Sequence, residues 1–327
     1  MASSPAPRIV EVAFAKNEGR FLLEWIAYHR LIGVADFLIY TNDCEDESPA
    51  LLDRLAEMGL VAHVPNPLVP GEQAQNKALN RAAEHPLVKA ADYVLQIDPD
   101  EFLCIKTGDG RIADLIATAP EADAICIQMR FFGDSGFASM PDGLVIENLT
   151  RASFEDFEPN ANVKSIARNG DVFDKITANH MPAFAPGKHP RMFNAGAKEI
   201  PLESRSNKIP DALRSMRYAQ LNHYAVRTFA DYRAKKHRGT PAGNDAKLTM
   251  AYWHQRNRND VEDRAILRHV PAAKALMAEW LADPVLARLD RRCFEAYAEI
   301  VEKSRDIFQP RSDASNAGSS LGKNRQS

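Results

Sequence analysis

Two carboxylates one residue apart, Asp98 and Asp100, follow directly on the apolar run Tyr93-Val94-Leu95-Gln96-Ile97. Oxygen ligands of this kind suit a hard divalent cation, Mg²⁺ or Mn²⁺. Held by one or two carboxylates, such a cation completes its shell with water and substrate phosphates. The pair therefore points to a phosphate-bearing substrate. An Asp-x-Asp triplet arises by chance about once in a chain of this size, so context decides its meaning. Here it follows an expected buried strand, at the carboxyl end where open α/β sheets bind ligands. An EF-hand calcium loop is excluded, because Phe102 occupies its third ligand position and its turning glycine is absent.

Other residues gather round this pair by position. Asn17, Glu18 and Asp43 come just after the first two expected strands, on the same sheet edge as Asp98 if the sheet is parallel. From there they can hydrogen-bond a nucleobase and ribose. Asn17 reads equally as the N-cap of the next helix, and Asp43 as a turn residue. Asp46 and Ser48 read as caps for a helix opening near Pro49. His223 ends a run that returns a strand towards the same edge; its imidazole either completes a metal shell or is a hydrogen-bonded structural group. Lys235, Lys236, His237 and Arg238 either contact a diphosphate or dress a helix C-terminus with cations before Gly239. Asp134, in Gly133-Asp134-Ser135-Gly136, lies in a flexible loop after a strand.

The elements that must position these residues alternate. Residues 8–14, 37–40, 60–64 and 93–97 read as strands, and 18–32, 50–58 and 72–83 as helices, by apolar spacing and by Gly33, Pro49 and Gly59 as boundaries. The order β-α-β-α-β-α-β predicts an α/β fold with a largely parallel sheet and helices on both faces. Residues 124–132 read as a further strand. The stretch 147–210, polar and broken by Pro and Gly, predicts an irregular substrate-binding half. Helices are expected again over 228–237, 247–256, 261–282 and 284–305. Residues 1–7 are expected to be flexible and 310–327, nearly empty of large apolar side chains, disordered. The intervening 8–309 divide into two halves, 8–132 and 133–309, the second carrying the C-terminal helices.

With 327 residues, 45% of them hydrophobic, the chain can bury a large core, and its net charge of −3 gives no global attraction to nucleic acid or acidic membranes. Cys44, Cys104, Cys126 and Cys293 are far apart without C-x-x-C spacing, which argues against a zinc site or disulfide framework and fits reduced thiols. No charged region precedes an apolar stretch at the N-terminus, and no apolar run is long enough to span a bilayer. The expected location is cytoplasmic, compatible with a peripheral position on the inner face of a membrane.

Several segments in order carry a family resemblance: Lys16-Asn17-Glu18, Leu23-Glu24-Trp25-Ile26-Ala27-Tyr28-His29, residues 40–48, Asp98-Pro99-Asp100-Glu101-Phe102, Phe131-Phe132-Gly133-Asp134-Ser135-Gly136, Leu221-Asn222-His223-Tyr224 and Lys235-Lys236-His237-Arg238-Gly239. As a set they resemble the GT-A glycosyltransferases of the family 2 type, in particular the bacterial group similar to family 92 galactosyltransferase-like proteins. The resemblance implies a GT-A-like fold and transfer of a hexose from a nucleotide sugar, UDP-linked, to a glycan or lipid-linked acceptor in cell-surface polysaccharide synthesis, with Mn²⁺ or Mg²⁺. It implies Asp100 as primary metal ligand, Asp98 nearer the ribose and metal-bound water, and His223 as a further ligand. Lys236 and Arg238 then meet the diphosphate. If the reaction inverts, a carboxylate must take the acceptor proton; Asp134 is the nominee, with Glu155, Asp156 and Glu158 as alternatives. Two rival readings are a catalytically silent nucleotide-sugar-binding protein and a metal-dependent phosphotransferase.

Overall fold

A computed structural model describes residues 6–69, 72–204, 207–239 and 245–308. The expected flexible N-terminus and disordered tail fall almost entirely outside these residues. In chain order β1 (Ile9–Ala15), α1 (Gly19–Ile32), β2 (Asp36–Thr41), α2 (Ser48–Glu57), β3 (Ala62–Pro65), α3 (Ala74–Glu84), α4 (Pro86–Lys89) and β4 (Tyr93–Gln96) form three successive crossovers. The four strands pair in parallel in the order β3-β2-β1-β4, with Val12 opposite Leu38 on one side and Gln96 on the other.

Every residue of β1 is buried, as a strand covered on both faces requires. Ile9, Ala13 and Ala15 pack into the core formed with α1, whereas Val10, Val12 and Phe14 face Ala78, Leu79 and Ala82 of α3. Helix α1 is buried along most of its length because two C-terminal helices, α9 (Val270–Trp280) and α10 (Pro284–Lys303), cover its outer side. A Cβ on Gly19 would stand 2.6 Å from the Cys293 sulfur, so glycine is what permits the close approach of α1 and α10.

The chain continues through β5 (Glu101–Ile105), α5 (Ile112–Ile116), β6 (Ala124–Phe131), α6 (Val145–Asn148), β7 (Arg151–Ala152), β8 (Val163–Arg168), β9 (Phe173–Lys175), β10 (Ala183–Phe184), β11 (Met192–Asn194), β12 (Glu199–Ile200) and β13 (Ala219–His223). It closes with α7 (Phe229–Arg238), α8 (Met250–Arg256), β14 (Val261–Glu262), α9 (Val270–Trp280) and α10 (Pro284–Lys303). The large sheet runs β12-β11-β6-β8-β4-β1-β2-β3, with β13 pairing β6 in parallel and β5 antiparallel. The fold is α/β of the GT-A-like kind: a parallel half, a mixed half and C-terminal helices.

Two expectations need correction. The stretch 147–210 is not simply irregular: β8 inserts antiparallel between β4 and β6 at the centre of the sheet. Its sequence, VKSIAR, hides this because Lys164 is buried and charge-paired, so a lysine interrupts what is an inward-facing run. The helix expected over 261–282 begins at Val270. Residues 261–262 pair with β7 instead, and Pro271 belongs in a first turn, where its missing N–H is unneeded.

Candidate functional site

The turn after β4 places Asp98, Pro99 and Asp100 at the sheet edge, closed by the Glu101 N–H on the Asp98 carbonyl at 2.9 Å. Trp25 donates its indole N–H to the Glu101 carbonyl at 2.9 Å and Tyr28 its hydroxyl to that of Leu103 at 2.8 Å, so α1 fixes the start of β5. Strand β13 runs antiparallel to β5 with His223 opposite Glu101. That register delivers the imidazole to the carboxylate pair: Nε2 lies 3.8 Å from Asp100 Oδ1 and Nδ1 3.9 Å from Glu101 Oε1. The ring packs on Phe131, centroids 4.9 Å apart.

Charges here are buried and paired. Lys235 of α7 donates to Asp100 Oδ2 at 2.7 Å and to the Ala225 carbonyl at 3.0 Å. Burial would push the Asp100 carboxyl up, but Lys235 and then His223 oppose it and hold it well below the usual carboxylate range. Lys164 donates to Gln96, Asp98 and Asn179 at 3.0, 3.2 and 2.9 Å. Glu101 accepts the Asp98 N–H at 2.9 Å; burial raises its carboxyl to about 6 against the pull of Lys164.

The loop after β1 is built differently from a helix cap. Asn17, left-handed at φ 53°, accepts the Glu45 and Asp46 N–H groups at 2.6 and 3.2 Å, and its buried amide nitrogen has no partner among the described residues. Glu18 is held by two arginines: Arg227 reaches one oxygen with both terminal nitrogens at 3.2 Å, and Arg238 takes the other. Arg238 also donates to the carbonyls of Lys16 and Asn17. Arg227 stacks 3.6 Å from the Phe21 centroid. Asp43 is exposed at φ 47°, and Arg227 has φ 48°. Three left-handed non-glycine residues thus border one edge, each conformation disfavoured by about 1 kcal/mol or more.

On α7, Lys235 and Arg238 are three residues apart and share the face turned to this edge, whereas Lys236, half-buried, is one step further round. Asp134 is gripped by its own surroundings. Its oxygens accept from the Gly136 N–H at 2.9 Å, Asn257 at 2.8 Å and Asn259 at 3.0 Å. Asp46 spans two helix starts, accepting the N–H groups of Gly19 at 3.1 Å and Ser48 at 3.0 Å. A cavity of about 280 Å³, lined by Gln128, Glu155, Asp156, Asp211, Arg214, Ser215 and Met216, contains none of the residues around Asp100.

Two of the three nominated metal ligands suit a divalent ion together. Donor atoms each about 2.1 Å from one ion lie about 3–4 Å apart, and Asp100 Oδ1 and His223 Nε2 meet this spacing. Asp98 does not join them: its oxygens bond to Gln96 and Lys164. No cluster of three metal-binding side chains occurs among the described residues. Glu101, Lys164 and Arg227 carry no role in the sequence reading, which chose Lys236 over Lys235. Only the last had a legible signal, the i, i+3 spacing to Arg238.

Residues 11–230 match the sequence model of glycosyltransferase family 92. Two curated relatives are family 92 proteins of Ricinus communis, 30% identical over 135 residues, and of Oryza sativa subsp. japonica, 29% over 129 residues. Each match covers 38% of this chain, but 23% and 21% of the respective relative, so the chain spans under a quarter of their lengths in these matches. Among solved structures, S. aureus TarS 1-349 aligns over 91% of both chains at 11% identity with a TM-score of 0.33. Glucosyl-3-phosphoglycerate synthase from Mycobacterium tuberculosis, in complex with Mn²⁺, UDP and glucosyl-3-phosphoglycerate, aligns over 37% of this chain and 43% of its own at 14% identity and a TM-score of 0.25. At such scores the likeness carries no argument, and the fold rests on the strand order above.

Proposed function

The chain belongs to glycosyltransferase family 92, and from that premise we propose that it transfers a hexose from a UDP-linked donor to a glycan or lipid-linked acceptor with Mn²⁺ or Mg²⁺. The observation that carries this reading is Asp100, buried at the strand edge between Lys235 and His223. When the bond from the anomeric carbon to the diphosphate breaks, negative charge gathers on the leaving oxygens, and preorganised cations stabilise it most where water is excluded. Lys235 is placed to turn from Asp100 to that diphosphate. Asp100 and His223 would hold the divalent ion, which supplies Lewis-acid stabilisation of the same charge.

Donor recognition falls to the ends of β1, β2 and β4. The Asn17 amide can donate to a uracil carbonyl, and exposed Asp43 and half-buried Asp98 can accept from base or ribose. Glu18, Arg227 and Arg238 hold this loop against α7. A role for Asp134 in taking the acceptor proton requires it to exchange its present hydrogen bonds for the acceptor hydroxyl. No helix among the described residues is long and apolar enough to cross a membrane, compatible with a cytoplasmic enzyme of cell-surface polysaccharide synthesis that works beside a membrane.

Hydrolysis of UDP-glucose and UDP-galactose with MnCl₂, and its loss in Asp100→Ala, tests the reading. Equal hydrolysis by native and variant protein refutes it. The 2.7 Å contact of Lys235 with Asp100 favours a second reading, in which the ammonium does the metal's work; hydrolysis that persists in EDTA selects it.

A further inference from the structure

One cation near this centre has no carboxylate of its own. Arg256 ends α8, its guanidinium carbon 4.1 Å from the centroid of the Phe131 ring, on which His223 also packs. Its Nε and Nη1 are buried and find no acceptor among the described residues, and its side-chain hydrogen-bond partner, Tyr252, is uncharged. Arg258, two residues on, stacks likewise on Phe157 at 4.6 Å, yet Asp260 holds it with both oxygens at 2.7–2.9 Å. Glu158, a carboxylate that acts on Arg256 through space, is already paired with Lys208 at 2.7 Å. A buried donor left unmet costs about 1–3 kcal/mol, more when charged. Such a group is in place for something that arrives.

We propose that Arg256 binds an oxyanion on the acceptor, a carboxylate or phosphate carried by its sugar, so that the acceptor class is anionic. This deepens the transferase reading and rests on it. The donor diphosphate has its own ammonium in Lys235, on the Asp100 side. Arg256 instead adjoins the acceptor loop in chain and space: Asn257 and Asn259, directly after α8, are the residues that grip Asp134. The planar fork of a guanidinium matches carboxylate and phosphate oxygens in pairs, and stacking on Phe131 fixes its plane. Arg256 is only half-buried, so a turn about its last bonds brings the two donors to solvent.

The test is a ligand-observed NMR titration, with UDP and MnCl₂ present, of glucuronate, glucose 6-phosphate and glucose. Native protein should bind at least one charged sugar about 10-fold tighter than glucose, the factor expected of one charge-assisted contact. Arg256→Gln should bring the charged sugars to the glucose level while UDP affinity is retained, and Arg256→Lys should recover only part of the difference because it lacks the fork. A carboxylate acceptor gives the gain for glucuronate alone, a phosphate acceptor for glucose 6-phosphate alone. Equal binding of all three sugars to native protein overturns the proposal, as does a loss of UDP affinity in Arg256→Gln, which would assign the guanidinium to the donor. The titration needs no turnover, so failure to hydrolyse any nucleotide sugar would count against the transferase reading separately.

Discussion

Replacing Lys235 by Met keeps most of the side chain's apolar volume and removes the ammonium that faces Asp100 at 2.7 Å. Breaking a fully buried ion pair costs about 3–5 kcal/mol because one charge stays behind uncompensated. Here the side chains are 19% and 10% exposed, so the cost falls just below that range, at about 2–3 kcal/mol. For a chain of this length that corresponds to a fall in melting temperature of about 3–4 °C. The deficit should shrink when another cation becomes available. In Lys235→Met the carboxylate is open to Mn²⁺, and a ligand at about 100 times its Kd returns about 2.7 kcal/mol. In native protein the same ion must first displace an ammonium, so it stabilises less. Differential scanning fluorimetry in EDTA and in MnCl₂, each with UDP, reads both quantities. A variant that melts with the native protein in EDTA, or that gains no more from Mn²⁺ than the native protein does, refutes the assignment of Lys235 as the resident counter-ion of Asp100.

Glu24, buried and accepting the N–H groups of Val145 and Ile146 at 2.8 and 3.0 Å, has its carboxyl raised by burial to about 7. A folded-state value above the unfolded one, about 4.5, means that this group's stabilisation is complete below pH 4.5 and is lost as pH rises through 7. Thermal melts of Glu24→Gln should therefore move in the variant's favour relative to native by about 3 kcal/mol between pH 4.5 and 8, and a pH-independent difference refutes this. Glu18→Gln leaves Arg227 and Arg238 facing one neutral group and should destabilise by about 3 kcal/mol, visible in chemical denaturation; a change under 1 kcal/mol would show that the two guanidiniums find other partners. Gly19→Ala should lower stability by about 1–3 kcal/mol through overpacking against Cys293, and Cys293→Ala should recover part of it in the double variant. Additive losses in that pair would place the strain elsewhere.

The parallel half of the sheet was legible because its strands and helices obey two clean periods and carry their punctuation, Gly33, Pro49 and Gly59, in the expected places. Beyond Asp100 the signals fail for identifiable reasons. Lys164 looks like a surface residue until Asp98 and Glu101 are known to face it, and without that knowledge β8 cannot be read. The short strands Arg151–Ala152 and Val261–Glu262 exist only because they pair across 109–111 positions of chain, a fact no local window contains. At the candidate site, residue types were more legible than their partners. Asp100 and His223 were nominated and lie together, and Glu18, nominated for a ligand, balances two arginines that the sequence does not place beside it. Asp134, nominated for a proton, is held by asparagines more than 120 positions away. Hydrogen-bond partners contributed by distant segments are what a linear reading lacks.

The clasp of Glu18 by Arg238 spans 220 positions of chain, which imposes a timetable on synthesis. At about 5–20 residues per second, about 10–40 s pass between the emergence of this glutamate and of the arginine that neutralises it. β1 to β4 can pair meanwhile, since β2 and β4 need only β1 and β3 needs only β2, but the edge they present stays open until α7 arrives. The nascent enzyme thus passes through an interval in which its parallel half is formed and its active edge carries uncompensated acid. Contacts of such long range also slow the final closure. Slowing translation just after residue 100 should therefore leave a chain with native-like helices and no nucleotide affinity, and release of α7 should bring both the charge balance and the site in a single late step.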